Sequence, residues 1–453
     1  MKKKSRINLS TTQTILLSFL LAILAGSALL ALPVSSADGI AVPYIDALFT
    51  ATTSICVTGL VTVPTFSTWS LFGQIIILFL IQIGGLGVVT IMSGLMISLL
   101  RRIGIKDRML IQDAFNLNTL SGMVKFIRKV IAGTFLVEGI GALLYMTVFV
   151  PEFGVKGVWI SLFNAVSAFC NAGMDVISEN SLYAYVHNPV INIVTILLIV
   201  FGGIGYIVWW DIMGVLKNIR RQGLKCFANL TFHSKIALSV TGILILAGTA
   251  AVFIFEYNNP LTMYSFSVPE KLQASLFQSV TTRTAGFATV PQENLTNASA
   301  LTSLLLMFIG GSPVGTAGGI KTVTFAVLIT SAFATMKTRS EAELFHRTIP
   351  KQAVSKAVAV VSMAFIILFT ATLLLAAVTD ADALDIVYET VSAAATVGLT
   401  RSLTSELNIW GRIIIIITMY LGRVGPISLM IALNTKKETK NIIKNPTEDI
   451  SVG

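Results

Sequence analysis

Four short stretches hold the residues best suited to chemistry, and that chemistry belongs to main-chain oxygen. They are Thr53-Ser54-Ile55-Cys56-Val57-Thr58-Gly59-Leu60, Ala168-Phe169-Cys170-Asn171-Ala172-Gly173-Met174, Thr281-Thr282-Arg283-Thr284-Ala285-Gly286-Phe287 and Ala394-Ala395-Thr396-Val397-Gly398-Leu399. Every copy ends in glycine followed by a large apolar residue. An alkali cation leaving water must exchange its hydration shell for other oxygen ligands, and a ring of backbone carbonyls can supply them. Aiming several carbonyls at one point needs dihedrals that glycine tolerates and bulkier residues resist. The expected donors are the carbonyls of Thr58, Gly59, Ala172, Gly173, Ala285, Gly286, Val397 and Gly398. One glycine alone would read as close helix packing. Four in the same register favour a pore.

Such loops need elements to hold them. Upstream of each lies a short helix candidate with an aromatic near its start: Phe49, Phe163, Phe277 and Tyr388. The distance from aromatic to glycine is ten residues in three copies and nine in the third. Downstream, a long apolar segment carries another glycine cluster, Gly84-Gly85-Leu86-Gly87, Gly202-Gly203-Ile204-Gly205, Gly310-Gly311 and Gly422-Arg423-Val424-Gly425, at separations of 25, 29, 24 and 24 residues. Internal repetition of this kind points to one unit used four times. The expected fold is an all-α polytopic membrane protein. Four pseudo-symmetric repeats, each helix, re-entrant pore loop and helix, give eight spanning helices around one central pore. The repeats cover residues 1–108, 109–225, 226–350 and 351–453.

The expected spans are Thr14–Val34, Phe72–Leu100, Val130–Val150, Val190–Val215, Ile236–Phe255, a helix from near Leu301, Val354–Val378 and Ile413–Leu433. The first could be a secretory signal, but its apolar run approaches the 20 or so residues of a bilayer span. Basic runs (Lys2, Lys3, Lys4 and Arg6; Arg101, Arg102, Lys106 and Arg108; Lys217, Arg220, Arg221 and Lys225; Lys436, Lys437, Lys440 and Lys444) fall on one side. Acidic loops fall on the other. The positive-inside rule then makes both termini cytoplasmic. The downstream clusters Gly84/Gly87, Gly202/Gly205 and Gly422/Gly425 are expected to let inner helices approach one another.

Composition agrees. In a chain of 453 residues, 54% hydrophobic and 12% charged with a mean hydropathy of +0.82, an ordinary soluble enzyme is excluded. The net charge of +10 suggests nucleic acid, but the basic residues are not interleaved with aromatics along one face. Cys56, Cys170 and Cys226 have no paired spacing, and His187, His233 and His346 are scattered, so neither a metal centre nor an enzyme active site is expected.

The segment Gly310-Gly311-Ser312-Pro313-Val314-Gly315-Thr316-Ala317-Gly318-Gly319-Ile320-Lys321 interrupts what should be a helix. Five glycines and a proline in twelve residues oppose unbroken helix. It lacks the adjoining Gly-Lys and the preceding strand of a phosphate-binding loop. A buried loop beneath the four glycines is the expectation, and an inner-surface turn the alternative. Arg423 sits in apolar sequence and needs a cavity or carbonyl partners. Arg283 should brace its loop, with Glu389 a candidate partner. Asp175 concentrates cations or makes a structural hydrogen bond, and Glu138 should hydrogen-bond at a helix interface.

Through Thr53–Leu60, Thr281–Phe287, Gly310–Lys321 and Leu421–Pro426, the sequence resembles the membrane (KtrB-like) subunit of the bacterial Ktr potassium transporters, in the superfamily that also contains Trk and plant HKT proteins. The resemblance covers nearly the whole chain. It implies a bacterial cell-membrane protein conducting K+ through a filter with one glycine per repeat, loss of the first being associated with sodium permeation. All four are present. It further implies that 310–321 is an intramembrane gate toward which Arg423 projects, that the subunit forms a homodimer, and that a cytosolic nucleotide-binding ring (KtrA/KtrC-like) regulates it. Na+ as an activating or coupled ion, hence symport, is open in the family. None of the loops contains the Thr-Val-Gly-Tyr-Gly of tetrameric potassium channels, which leaves a sodium or poorly selective cation channel as the alternative.

Overall fold

The computed structural model describes residues 10–98, 122–339 and 341–425, together with Met109 and Gln112. The first and last basic runs and that of residues 101–108 lie outside the described residues, as do Pro426 and the far end of the last expected span.

Among the described residues, four helices are each long and apolar enough to cross a bilayer: α1 (Thr11–Leu30), α5 (Met123–Phe153), α9 (Phe232–Glu256) and α13 (Lys351–Ala376). Three start within four residues of their expected positions, and α5 starts seven residues before the expected Val130. A capping box opens α1, where the Ser10 hydroxyl accepts the Gln13 N–H and the Gln13 side chain accepts the Ser10 N–H. Three of the remaining apolar stretches are not continuous rods. The stretch expected as one helix over Phe72–Leu100 is α3 (Leu71–Leu86) followed by α4 (Val88–Ser98), bent by 98°. Likewise α7 (Pro189–Ile204) and α8 (Tyr206–Leu216) meet at 99°.

The two hinges are glycines, and Gly87 (φ 84°, ψ 135°) and Gly205 (φ 94°, ψ 142°) share one conformation that side-chain-bearing residues avoid, as does Gly425 (φ 85°, ψ 146°) at the end of the helix Ile409–Val424. In the third instance α11 (Asn297–Phe308) and α12 (Thr322–Met336) are separated by a non-helical segment, and at 12 residues α11 spans only about 18 Å. The last helix, α15, covers Ile409–Val424. Between α12 and α13, Glu343–Leu344 and Arg347–Thr348 pair as a two-stranded hairpin.

Four shorter helices stand inside this frame: α2 (Tyr44–Cys56), α6 (Val155–Cys170), α10 (Val268–Thr281) and α14 (Ala383–Ala395). Their aromatics Phe49, Phe163, Phe277 and Tyr388 are fully buried. Packing follows a cyclic order. Helix α3 touches α6, α7 touches α10, α11 touches α14, and α15 returns to α2.

The glycine clusters serve this packing differently from expectation. A side chain at Gly84, Gly202 or Gly422 would strike the carbonyl oxygen of Ile55, Phe169 or Ala394 within about 2.2 Å. The first glycine of these three clusters therefore seats its helix on the last turn of a short helix, not on another inner helix, whereas Gly310 meets Gly318 O. Gly87 and Gly205 break their helices.

Candidate ion-coordinating ring

Each short helix ends in a loop of one backbone form. Val57, Asn171, Thr284 and Thr396, two residues before the loop glycines, have φ of 55°, 61°, 68° and 53°. Gly59, Gly173, Gly286 and Gly398 follow at 99°, 65°, 81° and 94°. Three of the four preceding residues are β-branched, for which a left-handed conformation is an outlier held only by its surroundings. Part of the hold is main chain: Thr58 N–H to Thr53 O (2.9 Å), Ala172 N–H to Ser167 O (2.8 Å) and Val397 N–H to Ser392 O (2.8 Å). In the third loop Ala285 N–H reaches Thr281 O (2.9 Å), one residue closer. That difference matches the nine-residue spacing there.

The four loops meet. A Cβ on Gly59 would lie 2.5 Å from Ala172 O, on Gly173 2.5 Å from Ala285 O, on Gly286 2.5 Å from Val397 O, and on Gly398 2.2 Å from Thr58 O. Each glycine thus abuts the carbonyl of the next loop, and the fourth abuts the first. Thr58, Ala172, Ala285 and Val397 are fully buried. Among the described residues, neither their carbonyl oxygens nor those of the four glycines accept a hydrogen bond. Buried main-chain oxygens are nearly always partnered. Eight without a protein donor, gathered in one place, are suited to a positively charged guest.

Side chains that the sequence reading missed support this ring. The Gly59 N–H is bonded to Thr53 Oγ1 (2.9 Å) and the Gly398 N–H to Ser392 Oγ (3.0 Å), while Thr281 Oγ1 donates to Phe287 O (2.6 Å). Together with Ser167, a hydroxyl stands six residues before the glycine in three copies and five in the third. That recurrence was a usable signal.

At the opposite ends of the short helices, Asp46 in the first turn of α2 is buried and pairs with Arg412 Nη1 (2.6 Å), accepting also from Thr62 Oγ1 (2.7 Å). Asp385 in the first turn of α14 pairs with Arg401 Nε (2.6 Å), whose Nη1 reaches Gln292 O (3.0 Å). Glu389 is not the partner of Arg283. Its carboxylate accepts from Thr400 and Thr404 hydroxyls, eleven and fifteen residues on, while Arg283 donates to Thr241 and to Gly310 O (3.1 Å). Asp175 accepts the Ile177 N–H (3.2 Å), a structural hydrogen bond. Glu138 accepts from Gln82 Nε2 (3.1 Å) across the α3–α5 interface, as expected.

The segment from Gly310 to Lys321 lies beside the ring. Gly318 N–H donates to Thr284 Oγ1 (3.2 Å), and Thr316 Oγ1 donates to Phe169 O (3.0 Å). Its own ends are joined by Ile320 N–H to Phe308 O (3.2 Å) and Thr322 N–H to Gly311 O (3.0 Å). Arg423 donates to Thr316 O (2.6 Å) and to Gly84 O, and Lys321 to Ala317 O. Both cations line a cavity of about 400 Å³ that also touches Gly85, Tyr206, Pro313 and Val391.

The cation transport protein family TrkH matches residues 2–444. The chain is 38% identical to the Ktr system potassium uptake protein B of Bacillus subtilis, covering 99% of this chain and 98% of that one. It is 37% identical to the potassium/sodium uptake protein NtpJ of Enterococcus hirae, over 100% and 99%. The crystal structure of the potassium transporter TrkH from Vibrio parahaemolyticus superimposes with a TM-score of 0.76 at 15% identity, covering 96% of this chain and 87% of that one, a likeness of fold. This chain belongs to the TrkH family of cation transport proteins and is a multi-pass membrane protein.

Proposed function

We propose that the chain is the potassium-translocating membrane subunit of a bacterial potassium uptake system. The observation that carries this reading is the ring of eight buried carbonyl oxygens without protein donors, from Thr58 to Gly398. Oxygen ligands without a competing hydrogen bond can replace the water of a dehydrating cation. On this reading the residues bind K+ by main chain alone, and four pseudo-equivalent units, with boundaries near residues 108, 225 and 350, surround one pore. Eight membrane crossings with cytoplasmic termini follow if each bent or interrupted pair is one crossing.

The segment 310–321 is the gate. Arg423 holds it by Thr316 O, and the charge there opposes a resting cation in the cavity below. The relatives named as parts of a Ktr system favour a separate regulatory partner, here a cytosolic nucleotide-binding ring acting on a homodimer, with Na+ as an activating or coupled ion. Purified chain in liposomes tests the core of the reading: potassium should move down its gradient, and reversal potentials in mixed K+ and Na+ should lie near the potassium value. A protein that carries neither ion overturns it. Equal permeation by both ions supports the poorly selective channel instead, a reading favoured by the potassium/sodium name of the E. hirae relative.

A further inference from the structure

Besides Arg283 and Arg423, the gate segment is held by a part of the molecule that no charge marks. An unbroken helix through residues 202–207 would bond Tyr206 N–H to Gly202 O and Ile207 N–H to Gly203 O. The bend at Gly205 removes that option, and the gate segment takes over the freed groups. Thr316 N–H donates to Gly202 O (3.1 Å), Ser312 N–H to Gly203 O (2.8 Å), and Tyr206 N–H to Val314 O (3.1 Å). At the corresponding bend after α3, the freed Gly84 O is bonded by Arg423 instead.

Thr316 joins these contacts. Its N–H is held by α7, its carbonyl by Arg423, and its hydroxyl by Phe169 O in the last turn of α6, four residues before Gly173. The Asn171 amide oxygen lies 3.2 Å from the same hydroxyl.

Resting on the transport reading above, we infer that the α7–α8 break is the catch of the gate. Main-chain groups at Gly202, Gly203 and Tyr206 hold 310–321 shut, and Thr316 keys the catch to the second loop of the ring. Because Tyr206 is the first residue of α8, a displacement of α8 toward or away from the cytoplasmic basic stretch after Leu216 pulls directly on Val314. Thr316 is a positioning residue, since its hydroxyl touches protein and not the ion. Motion of α8 exchanges the three main-chain bonds for water and releases the segment.

The test uses full-length chain in liposomes, reading potassium flux, the K+/Na+ flux ratio and amide hydrogen exchange at Ser312, Thr316 and Tyr206. Thr316→Val keeps the shape and the main-chain bonds but removes the hydroxyl donor. Loss of one such bond should raise both unstimulated flux and exchange at Ser312 and Tyr206 by about fivefold. The K+/Na+ ratio should stay the same. Thr316→Ser, which retains the donor, should show less than half of that rise. A changed ratio with unchanged exchange would mean that Thr316 serves the ring and not the catch, and overturns the inference. So does a conducting wild type matched by Thr316→Val in flux and exchange. A wild type that carries no potassium overturns the transport reading itself, and the catch as a gate with it.

Discussion

The two ends of the short helices are held by opposite means. At the ends remote from the ring, carboxylates are held by side-chain donors, Asp46 by Arg412 and Thr62 and Asp385 by Arg401, and midway along α14 Glu389 is held by two threonine hydroxyls. Glu256, at the end of α9, takes four donors from Thr296 N–H and Oγ1, Asn259 and Thr262. At the ring end, the segment 310–321 is held by main-chain bonds, by the hydroxyls of Thr284 and Thr316, and by three cations, Arg283, Lys321 and Arg423, that donate to its carbonyls. Among the described residues none of these cations has a carboxylate partner. Side-chain pairs in a fixed fork geometry specify one arrangement. Main-chain bonds to a broken helix can be exchanged when that helix shifts, and the exchange leaves no lone carboxylate behind. On the proposed reading, the contrast suits a rigid coordinating ring above a movable segment.

The largest effect should come from breaking the ring itself. In Gly173→Ala the new Cβ would lie 2.5 Å from Ala285 O and 2.7 Å from Gly286 Cα, at a φ of 65°. Strain from the dihedral alone costs about 1–3 kcal/mol, and the contacts add to it. K+ over Na+ discrimination should fall by at least about tenfold, the factor that ~1.4 kcal/mol represents. Reversal potentials in mixed ions measure it, and an unchanged ratio would remove Gly173 from the coordinating set.

Next comes the outer rim. Removing Arg412 leaves Asp46 buried with only Thr62, and loss of one partner from a buried pair costs about 3–5 kcal/mol. Arg412 is partly exposed, with 19% of its side chain accessible, so the low end applies. Thermal unfolding in detergent should show Arg412→Ala well below the wild type. The double variant Asp46→Ala/Arg412→Ala should lie closer to Arg412→Ala than additivity predicts. Strict additivity would show that the pair is not coupled.

On the inner side the comparison sharpens with Arg423→Ala. Two carbonyls, Thr316 O and Gly84 O, lose a charged donor, and such bonds contribute about 1.5–3 kcal/mol each. Unstimulated potassium flux should rise about tenfold, with a smaller loss of thermal stability than Arg412→Ala because water from the cavity can replace the guanidinium. Unchanged flux and regulation would end the gating role of Arg423.

Which of these features the sequence could reveal depends on how local their cause is. The loop glycines and their aromatics recur at fixed short spacing, so the four loops that converge were legible one by one, including the shortened third copy. The bends were not. Apolar sequence runs through Gly87 and Gly205, and hydropathy cannot separate a glycine that packs, such as Gly84 against Ile55 O, from one three residues later that turns the chain. The recurring pair spacing in 84/87, 202/205 and 422/425 was the available signal. Pairing by charge also misled: Glu389 finds its donors in two nearby threonines, whereas Asp46 finds Arg412 at a distance of 366 residues, for which one chain gives no clue.

The smallest effect lies on an exposed turn where the outer rim meets solvent. Glu270 accepts the Ser267 N–H (2.8 Å) and hydroxyl (2.6 Å) at the start of α10, and His187 Nδ1 lies 2.8 Å from its other oxygen. Those hydrogen bonds from Ser267 hold the carboxyl below its ordinary 4.5. A carboxyl lowered on folding adds stability that is present above about 4.5 and disappears as pH falls through the folded value. Melting temperatures of the wild type and Glu270→Gln should therefore differ slightly at neutral pH and converge in the acid range below 4.5. Because the side chain is partly open to solvent, with 36% accessible, screening keeps the difference small, and added salt should shrink it further. A gap that persists at low pH would assign the stabilisation to the shape of the cap and not to its charge. The outer rim would then owe its rigidity at this point to hydrogen-bond geometry alone, unlike the ion pairs at Asp46 and Asp385.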